Sequence, residues 1–155
     1  MVNKERQNNE LREGMKLGKN CVCFNLRKTT RVVTQIYDRI MKPSGLNGTQ
    51  FTLLTAVAIA GSPTIANLAK NLLMDRTTLT RNIKPLEKQE LLIITAGEDQ
   101  RTRIVTLTDQ GENMLSNALP YWNKAQKSII ESYGEDRWES TMSDLKELIT
   151  IAQKI

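Results

Sequence analysis

The chain has 155 residues, of which 39% are hydrophobic and 25% are charged, with two cysteines and no histidine. Without an imidazole it can build neither a Cys2His2 zinc site nor a serine or cysteine nucleophile that a histidine activates. The net charge of +5 favours an anionic partner, and charge alone does not choose between nucleic acid and a membrane surface.

The sequence shows no signal for membrane insertion or secretion. Its longest apolar run, Ala56 to Ala60, is far shorter than the roughly 20 residues that span a bilayer. Residues 1–14 contain no apolar stretch typical of a signal sequence, and two cysteines do not make a disulfide framework. We therefore expect a soluble, cytoplasmic protein of one domain, with no membrane partner, no metal and no cofactor.

The pattern of the first half of the chain predicts a series of helices. Apolar residues recur at helical spacing from Val22 to Ile40, and Pro43 then breaks the pattern, which predicts a long first helix. A second helix is predicted over residues 49–60. Two short helices follow almost without a gap, and Asp75 is placed to cap the start of the second of them.

The second half contains a hairpin and two further helices. Residues 91–95 and 103–108 are rich in β-forming side chains and flank a polar loop, which predicts two antiparallel strands. Thr108 and Asp109 then begin a helix in which Asp109 and Glu112 have capping-box spacing, and a last helix follows after a glycine. The predicted fold is mainly α with a small antiparallel β hairpin, a winged helix-turn-helix flanked by long helices.

The fourth predicted helix carries a polar face that suits DNA. Opposite its apolar stripe it shows Thr77, Thr80, Arg81 and Lys84, which are short hydroxyls and long cations with no acid. Arginine pairs bidentately with guanine, threonine contacts bases or phosphates, and lysine meets phosphate. The alternative is an ordinary solvated face, but the preceding helix, the short connection and the following hairpin occur in the order that helix-turn-helix docking requires.

The hairpin loop allows two interpretations. Arg101 and Arg103 lie beside Glu98 and Asp99 at its tip. In one interpretation Arg101 enters the narrow minor groove while Asp99 holds its guanidinium. In the other, the acids and the cations neutralise one another in an exposed turn that contributes little. Composition alone leaves both open.

Two stretches of the sequence are familiar. The run LAKNLLMDRTTLTRNIKPLEKQELL, followed by EDQRTRIVTLTDQG, resembles the MarR family of bacterial transcription regulators. The specific part of this resemblance is a D-x-R wing, here Asp99 and Arg101, followed by a strand and the motif L-T-x-x-G, here Leu107, Thr108 and Gly111. One family feature is missing, because the glycine that usually ends the fourth helix is replaced by glutamate at position 90.

The resemblance covers about residues 20–153 and implies roles for individual side chains. In the family the fourth helix reads the major groove and the wing arginine reaches the minor groove. The residues assigned to DNA are therefore, on the recognition helix, Arg76, Thr77, Thr78, Thr80, Arg81 and Lys84, and, on the wing, Asp99, Arg101 and Arg103.

The resemblance also implies an assembly and a division of the chain. Family members are obligate homodimers whose N- and C-terminal helices interlock, and they commonly bind phenolic or other small aromatic anions. The expected segments are a flexible N-terminal arm at 1–19, an N-terminal dimerisation helix and loop at 20–48, a DNA-binding winged helix-turn-helix lobe at 49–108, and C-terminal dimerisation helices at 109–155.

The expected function is a sequence-specific transcriptional regulator. We expect a repressor that binds palindromic double-stranded DNA as a homodimer and is released by a small-molecule effector, for which an aromatic compound is one candidate. An enzyme is disfavoured because no histidine is present and no pair of carboxylates lies at helical spacing on an apolar face. A winged helix that binds protein instead of DNA stays open as an alternative.

The cysteines add a redox alternative. Cys23 and Phe24, with Tyr37 fourteen residues after the cysteine, resemble the sensor segment of the organic-hydroperoxide branch of the family, although a second tyrosine of that branch is replaced by Gly48. Cys23 is thus either a peroxide-sensing thiol or a small buried hydrophobe of the dimer helices. If Cys21 and Cys23 both lie on the first helix, their side chains point about 200° apart and cannot form a disulfide without unwinding it.

Overall fold

A computed structural model describes residues 11, 14, 19–99 and 101–155. The predicted arm at 1–19 lies almost wholly outside these residues. The described chain falls into two compact units that divide between Ile36 and Tyr37. Its helices and strands are α1 Val22–Met41, α2 Gly48–Ala60, α3 Ile65–Asn71, α4 Arg76–Lys88, β1 Leu92–Ala96, β2 Arg103–Leu107, α5 Asp109–Tyr133 and α6 Glu135–Ala152.

This element order confirms the predicted winged helix-turn-helix with long flanking helices. A short 3-10 helix, Lys42–Ser44, ends α1 at the predicted proline, because Pro43 cannot continue the α-helical hydrogen bonding. The two strands form an antiparallel hairpin in which Leu92 pairs with Leu107 and Ala96 with Arg103. Within the described residues, no helix combines the length and the apolar character that crossing a lipid bilayer requires.

The core of the second unit lies under α4 and the hairpin. Leu79, Ile83 and Leu86 of α4 are fully buried, as their spacing of four and three residues on one helical face predicts. The other large side chains that are less than 2% exposed come from the end of α1, from α2, from α3 and from the hairpin. They are Met41, Leu53, Leu54, Val57, Leu68, Leu91, Leu92 and Val105.

Four helices of this unit begin at side-chain caps. Asn47 and Gln50 form a capping box at the start of α2, and the Thr64 hydroxyl accepts the backbone N–H of Asn67 at the start of α3. The predicted cap Asp75 begins α4. At α5 the prediction was wrong, because Thr108 is the cap and Asp109 is already the first helical residue.

Two helices end on left-handed residues that are not glycine. Leu73, just after α3, has φ 52°, and Glu90, just after α4, has φ 57°. Glu90 donates its N–H to the Glu87 carbonyl, and Leu91 donates to the Leu86 carbonyl, each at 2.9 Å, which is the hydrogen-bond pattern of a Schellman motif. Glutamate thus adopts the conformation for which the family normally uses glycine, and the helix ends there despite the substitution.

The C-terminal helices form a corner at Gly134. α5 runs through Pro120 without a break, and Gly134 ends it with φ 96°. The Arg137 guanidinium lies 4.5 Å from the centre of the Tyr133 ring across this corner. On the lobe side of α5, Trp122 stacks on Phe51 of α2 with 5.8 Å between ring centres.

Candidate nucleic-acid interface

The start of α4 is ordered by its cap. The Asp75 carboxylate accepts the backbone N–H of Thr78 at 2.8 Å. The hydroxyl and the N–H of Thr78 hold the pKa of Asp75 below its ordinary value, because both hydrogen bonds favour the ionised carboxylate. Thr78, which the sequence placed among the DNA contacts, therefore takes part in the cap.

The other predicted recognition residues share one shallow depression on the outer face of α4. The Thr80 hydroxyl donates to the Arg76 carbonyl at 2.7 Å, so this side chain offers its methyl group and its lone pairs to a partner. The depression contains no acidic residue, and three of its five side chains are cations. It is lined by Arg76, Thr77, Thr80, Arg81 and Lys84.

The tip of the wing is a turn that Asp99 organises. Its carboxylate accepts the backbone N–H of Arg101 at 2.9 Å, and its carbonyl accepts the N–H of Thr102 at 2.8 Å. In the described structure no ion pair joins the Asp99 carboxylate to the Arg101 guanidinium, so the guanidinium contact of the first interpretation stays a prediction for the DNA-bound state. The carboxylate shapes the turn instead, and the exposed Arg101 extends from it.

The wing and the recognition helix meet at a second depression. Arg76, at the start of α4, lies there beside Arg101 and Arg103 of the wing. Ile65 and Ala66 of α3 and Thr102 complete its lining, and no acidic residue belongs to it. Three guanidinium groups around one opening form a site suited to phosphate oxygens.

Sequence reasoning missed this second group. It assigned Arg76 to the recognition helix and Arg101 and Arg103 to the wing, without predicting that they lie together. No local pattern indicates the contact, because 25 residues separate Arg76 from Arg101 along the chain. Only the packing of the hairpin beside α3 brings them close. The isolated bridge between Thr64 and Ile104 fixes that packing.

The two residues proposed as a redox sensor belong to different units of the described chain. Cys23 is exposed on α1. Fourteen residues later, the Tyr37 hydroxyl donates a hydrogen bond to the side-chain carbonyl of Gln126 on α5, and burial raises the pKa of Tyr37. Cys21 precedes α1, and its sulfur accepts the N–H of Phe24 at 3.5 Å. The condition that both cysteines lie on the first helix is therefore not met, and the helical angle between them does not apply.

The described residues contain no group of three or more side chains that could hold a metal ion. The cationic depressions on α4 and the wing have a chemistry specific enough to suggest a ligand. Both offer hydrogen-bond donors and positive charge to an extended anion, and the α4 depression also offers threonine methyl groups.

Known proteins resemble this chain in sequence and fold. The MarR family model matches residues 44–102. The M. tuberculosis transcriptional regulator MosR, solved in complex with DNA, is 34% identical and has a TM-score of 0.80, with 86% of this chain and 97% of that chain covered. The transcriptional regulator SarZ of Staphylococcus haemolyticus is 27% identical over 134 residues, covering 84% of this chain and 88% of SarZ.

A more distant structure shows the same fold. BpsR of Bordetella bronchiseptica, whose DNA binding is regulated by 6-hydroxynicotinic acid, has a TM-score of 0.75 at 21% identity, with 84% of this chain and 94% of that chain covered. Together with the winged helix-turn-helix and its cationic recognition face, these matches show that the chain belongs to the MarR family of transcriptional regulators.

Proposed function

We propose that the protein is a repressor that binds palindromic duplex DNA as a homodimer and is released by a small-molecule effector. The observation that carries the proposal is the acid-free cationic surface formed by the two depressions on α4 and the wing. Arg76 lines both depressions and joins them into one continuous surface. Such a surface fits the repeating phosphates and the exposed base edges of a major groove.

Different side chains of this surface take different roles. Arg81, one turn beyond Thr77 on the outer face of α4, reads a base edge, and Lys84 meets phosphate. Arg101 at the wing tip enters the minor groove. Arg76 and Arg103, at the depression between the helix and the wing, hold the phosphate backbone where the two grooves adjoin.

The homodimer is supported by apolar side chains that a single chain leaves exposed. On α1, Val22 is 57% exposed and Phe24 is 55% exposed. On α6 no residue is buried, and Ile149 and Ile151 are nearly half exposed. A second copy of the chain would cover these faces. Two recognition helices related by a two-fold axis then require half-sites about one helical turn, ~10 bp, apart.

The test compares single arginine variants on a palindromic duplex that the wild-type protein selects from a randomised library. Arg81→Ala should weaken binding by about 1–3 kcal/mol and relax the preference at one base position per half-site. Arg101→Ala should weaken binding to all sequences and reduce the dependence of affinity on salt. Lys88→Ala removes a charge at the end of α4 outside both depressions and serves as the control.

The outcomes of this test are distinct. A wild-type protein that selects no duplex, or binds without salt dependence, contradicts DNA binding and leaves the protein-binding winged helix in its place. Unchanged affinity of Arg101→Ala shows that the wing tip is an exposed turn. A monomer in sedimentation at micromolar concentration contradicts the homodimer.

A thiol-based release is the second candidate, since Cys23 is exposed in a single chain; its alternative is a cysteine that the second copy buries. In this version the Cys23 thiolate takes an oxygen atom from an organic hydroperoxide, which leaves as the alcohol, and the sulfenic acid weakens DNA binding. Cumene hydroperoxide should then release the DNA and a thiol reductant should restore binding. Cys23→Ser should abolish the response while Cys21→Ser keeps it. If peroxide does not change DNA binding by the wild-type protein, the thiol mechanism is contradicted and release by a non-covalent effector stands.

A further inference from the structure

The end of the recognition helix is bonded directly to the start of α5. The Thr108 hydroxyl donates to the Glu90 carbonyl at 2.6 Å, and the Thr108 N–H donates to the Leu91 carbonyl at 3.2 Å. The Gln110 side chain donates to the Gln89 carbonyl at 3.3 Å. We call this contact between residues 89–91 and 108–111 the joint.

The joint is also a close backbone contact. A Cβ atom at Gly111 would overlap the Leu91 carbonyl oxygen and lie 3.2 Å from the Leu107 side chain. Glycine is therefore required for the first turn of α5 to lie against this backbone. The same Thr108 hydroxyl that donates to Glu90 accepts the Gly111 N–H at 2.9 Å. One hydroxyl thus caps α5 and ties it to the end of α4.

The joint links these two helices directly, bypassing the hairpin that connects them along the chain. The covalent path from Glu90 to Thr108 runs out along β1, around the wing and back along β2. The joint bonds the two ends of this segment to each other, next to the buried side chains of Leu91 and Leu92. Both helices also pack on α2, and the joint adds a direct bond between the end of α4 and the start of α5, so the hydrogen bonds of Thr108 and the fit of Gly111 contribute to the angle between them.

We propose that Thr108 is a positioning residue that sets which half-site spacing the dimer accepts. This inference rests on the proposed function, in which α5 belongs to the dimer helices and α4 reads DNA. By fixing α4 on α5, the joint fixes the distance between the two recognition helices. Loosening it lets each helix reorient, so that duplexes with altered spacing are bound almost as well as the preferred one.

The test uses Thr108→Val, which keeps the branched shape and removes both hydroxyl hydrogen bonds, and Thr108→Ser, which keeps the hydroxyl. Affinity is measured for the selected palindromic duplex and for derivatives with one or two base pairs inserted at its centre. The readout is the ratio of these affinities, because a loss of folded protein lowers all of them equally and leaves the ratio unchanged. Gln110→Ala, which removes only the side-chain bond to Gln89, provides a second variant should Thr108→Val fold poorly.

We expect Thr108→Val to reduce the discrimination between spacings about threefold to thirtyfold, the range that couplings of this kind produce. Thr108→Ser should keep the wild-type ratio, and Gln110→Ala should reduce it less than Thr108→Val. The inference is overturned if Thr108→Val keeps the wild-type ratio of affinities, or if the wild-type protein binds all spacings equally well. Neither outcome contradicts DNA binding. A wild-type protein that selects no duplex overturns the proposed function itself.

Discussion

The recognition helix and the last helix have similar apolar patterns but different surroundings. α4 buries Leu79, Ile83 and Leu86 completely. α6 places Trp138, Met142, Leu145 and Ile149 at the same kind of spacing, yet none of them is buried. Helical spacing thus predicts that a residue lies on the apolar face, whereas its burial depends on whether another element lies opposite. One chain covers that face of α4 completely and that of α6 only in part, since Trp138, Met142 and Leu145 are half-buried and Ile149 is exposed.

The largest expected effect tests whether a second copy covers α6. Ile149→Glu should weaken dimerisation by about 2–5 kcal/mol, because the carboxylate would be buried without a partner. Sedimentation should show monomers at concentrations where the wild type is dimeric. Ser140→Glu adds the same charge on the opposite side of α6 and should leave the dimer intact.

This experiment also shows whether the lobe is independent of α6. In a Trp138→Phe background, the fluorescence of Trp122 reports on its stacking against Phe51 within the second unit. We expect that signal to persist in the Ile149→Glu variant. Loss of the Trp122 signal together with the dimer would contradict the contrast between a self-contained lobe and an incomplete terminal helix.

The second effect tests how tightly the lobe is packed at the joint. Gly111→Ala should lower the free energy of unfolding by about 1–3 kcal/mol, because the new methyl group overlaps the Leu91 carbonyl. Gly48→Ala, where the nearest atom lies at an ordinary 3.4 Å from the added Cβ, is the control and should have little effect. Urea unfolding measures the stability of both variants. A Gly111→Ala variant as stable as Gly48→Ala would show that the joint accommodates the methyl group.

The third effect is confined to acid pH and tests the cap of α4. Because hydrogen bonds from Thr78 lower the pKa of Asp75 in the folded state, this carboxylate stabilises the protein above its unfolded pKa of about 3.9. The contribution is lost as the pH falls through the lower folded-state pKa. Urea unfolding between pH 6 and pH 3 should show this loss.

Two variants isolate the contribution of Asp75. Asp75→Asn keeps an oxygen that accepts the Thr78 N–H but cannot titrate, so its stability should depend less on pH in the acid range. Thr78→Val removes the hydroxyl bond and so raises the folded-state pKa of Asp75 toward its unfolded value, which should make the acid loss smaller and complete at a higher pH than in the wild type. An acid profile that neither variant alters would show that other carboxylates control it.

The smallest effect has the opposite sign. Glu90→Gly should stabilise the protein by about 0.5–1 kcal/mol, because glycine adopts the left-handed φ of 57° without steric cost. The backbone carbonyl that accepts the Thr108 hydroxyl is unchanged. Lys88→Gly, at a right-handed position in the last turn of α4, should destabilise by a similar amount. In thermal unfolding, a higher melting temperature for Glu90→Gly and a lower one for Lys88→Gly would confirm the backbone strain at Glu90.

Much of the fold could be predicted because its signals are local. The Asp75 cap, the spacing of Leu79 and Ile83, and the paired β-rich runs each lie within a few residues of one another. The error at the start of α5 coincides with a contact between distant residues. Thr108 caps α5 in place of Asp109, and the same Thr108 hydroxyl is held by the Glu90 carbonyl, 18 residues earlier in the chain.

Part of the candidate site could be predicted from the sequence, and part could not. The cationic face of α4 follows from helical geometry, and four of its residues were assigned from the sequence by that argument alone. Thr78 and Asp99 were assigned to DNA contacts, yet the structure engages Thr78 in the Asp75 cap and the Asp99 carboxylate in the turn of the wing. Which hydrogen bond a short polar side chain forms depends on the local backbone path, which composition does not specify.

By itself, the sequence determined the order of the elements, the apolar face of each helix and the excess of cations on the recognition helix. Those properties depend on side chains within a few turns of one another, where the backbone period sets the geometry. Only the tertiary structure decided that Arg76 lies beside Arg101 and Arg103, and that Gly111 allows α5 to lie against Leu91. Contacts across such separations form only when packed elements bring distant backbone segments together, and no local pattern encodes that distance.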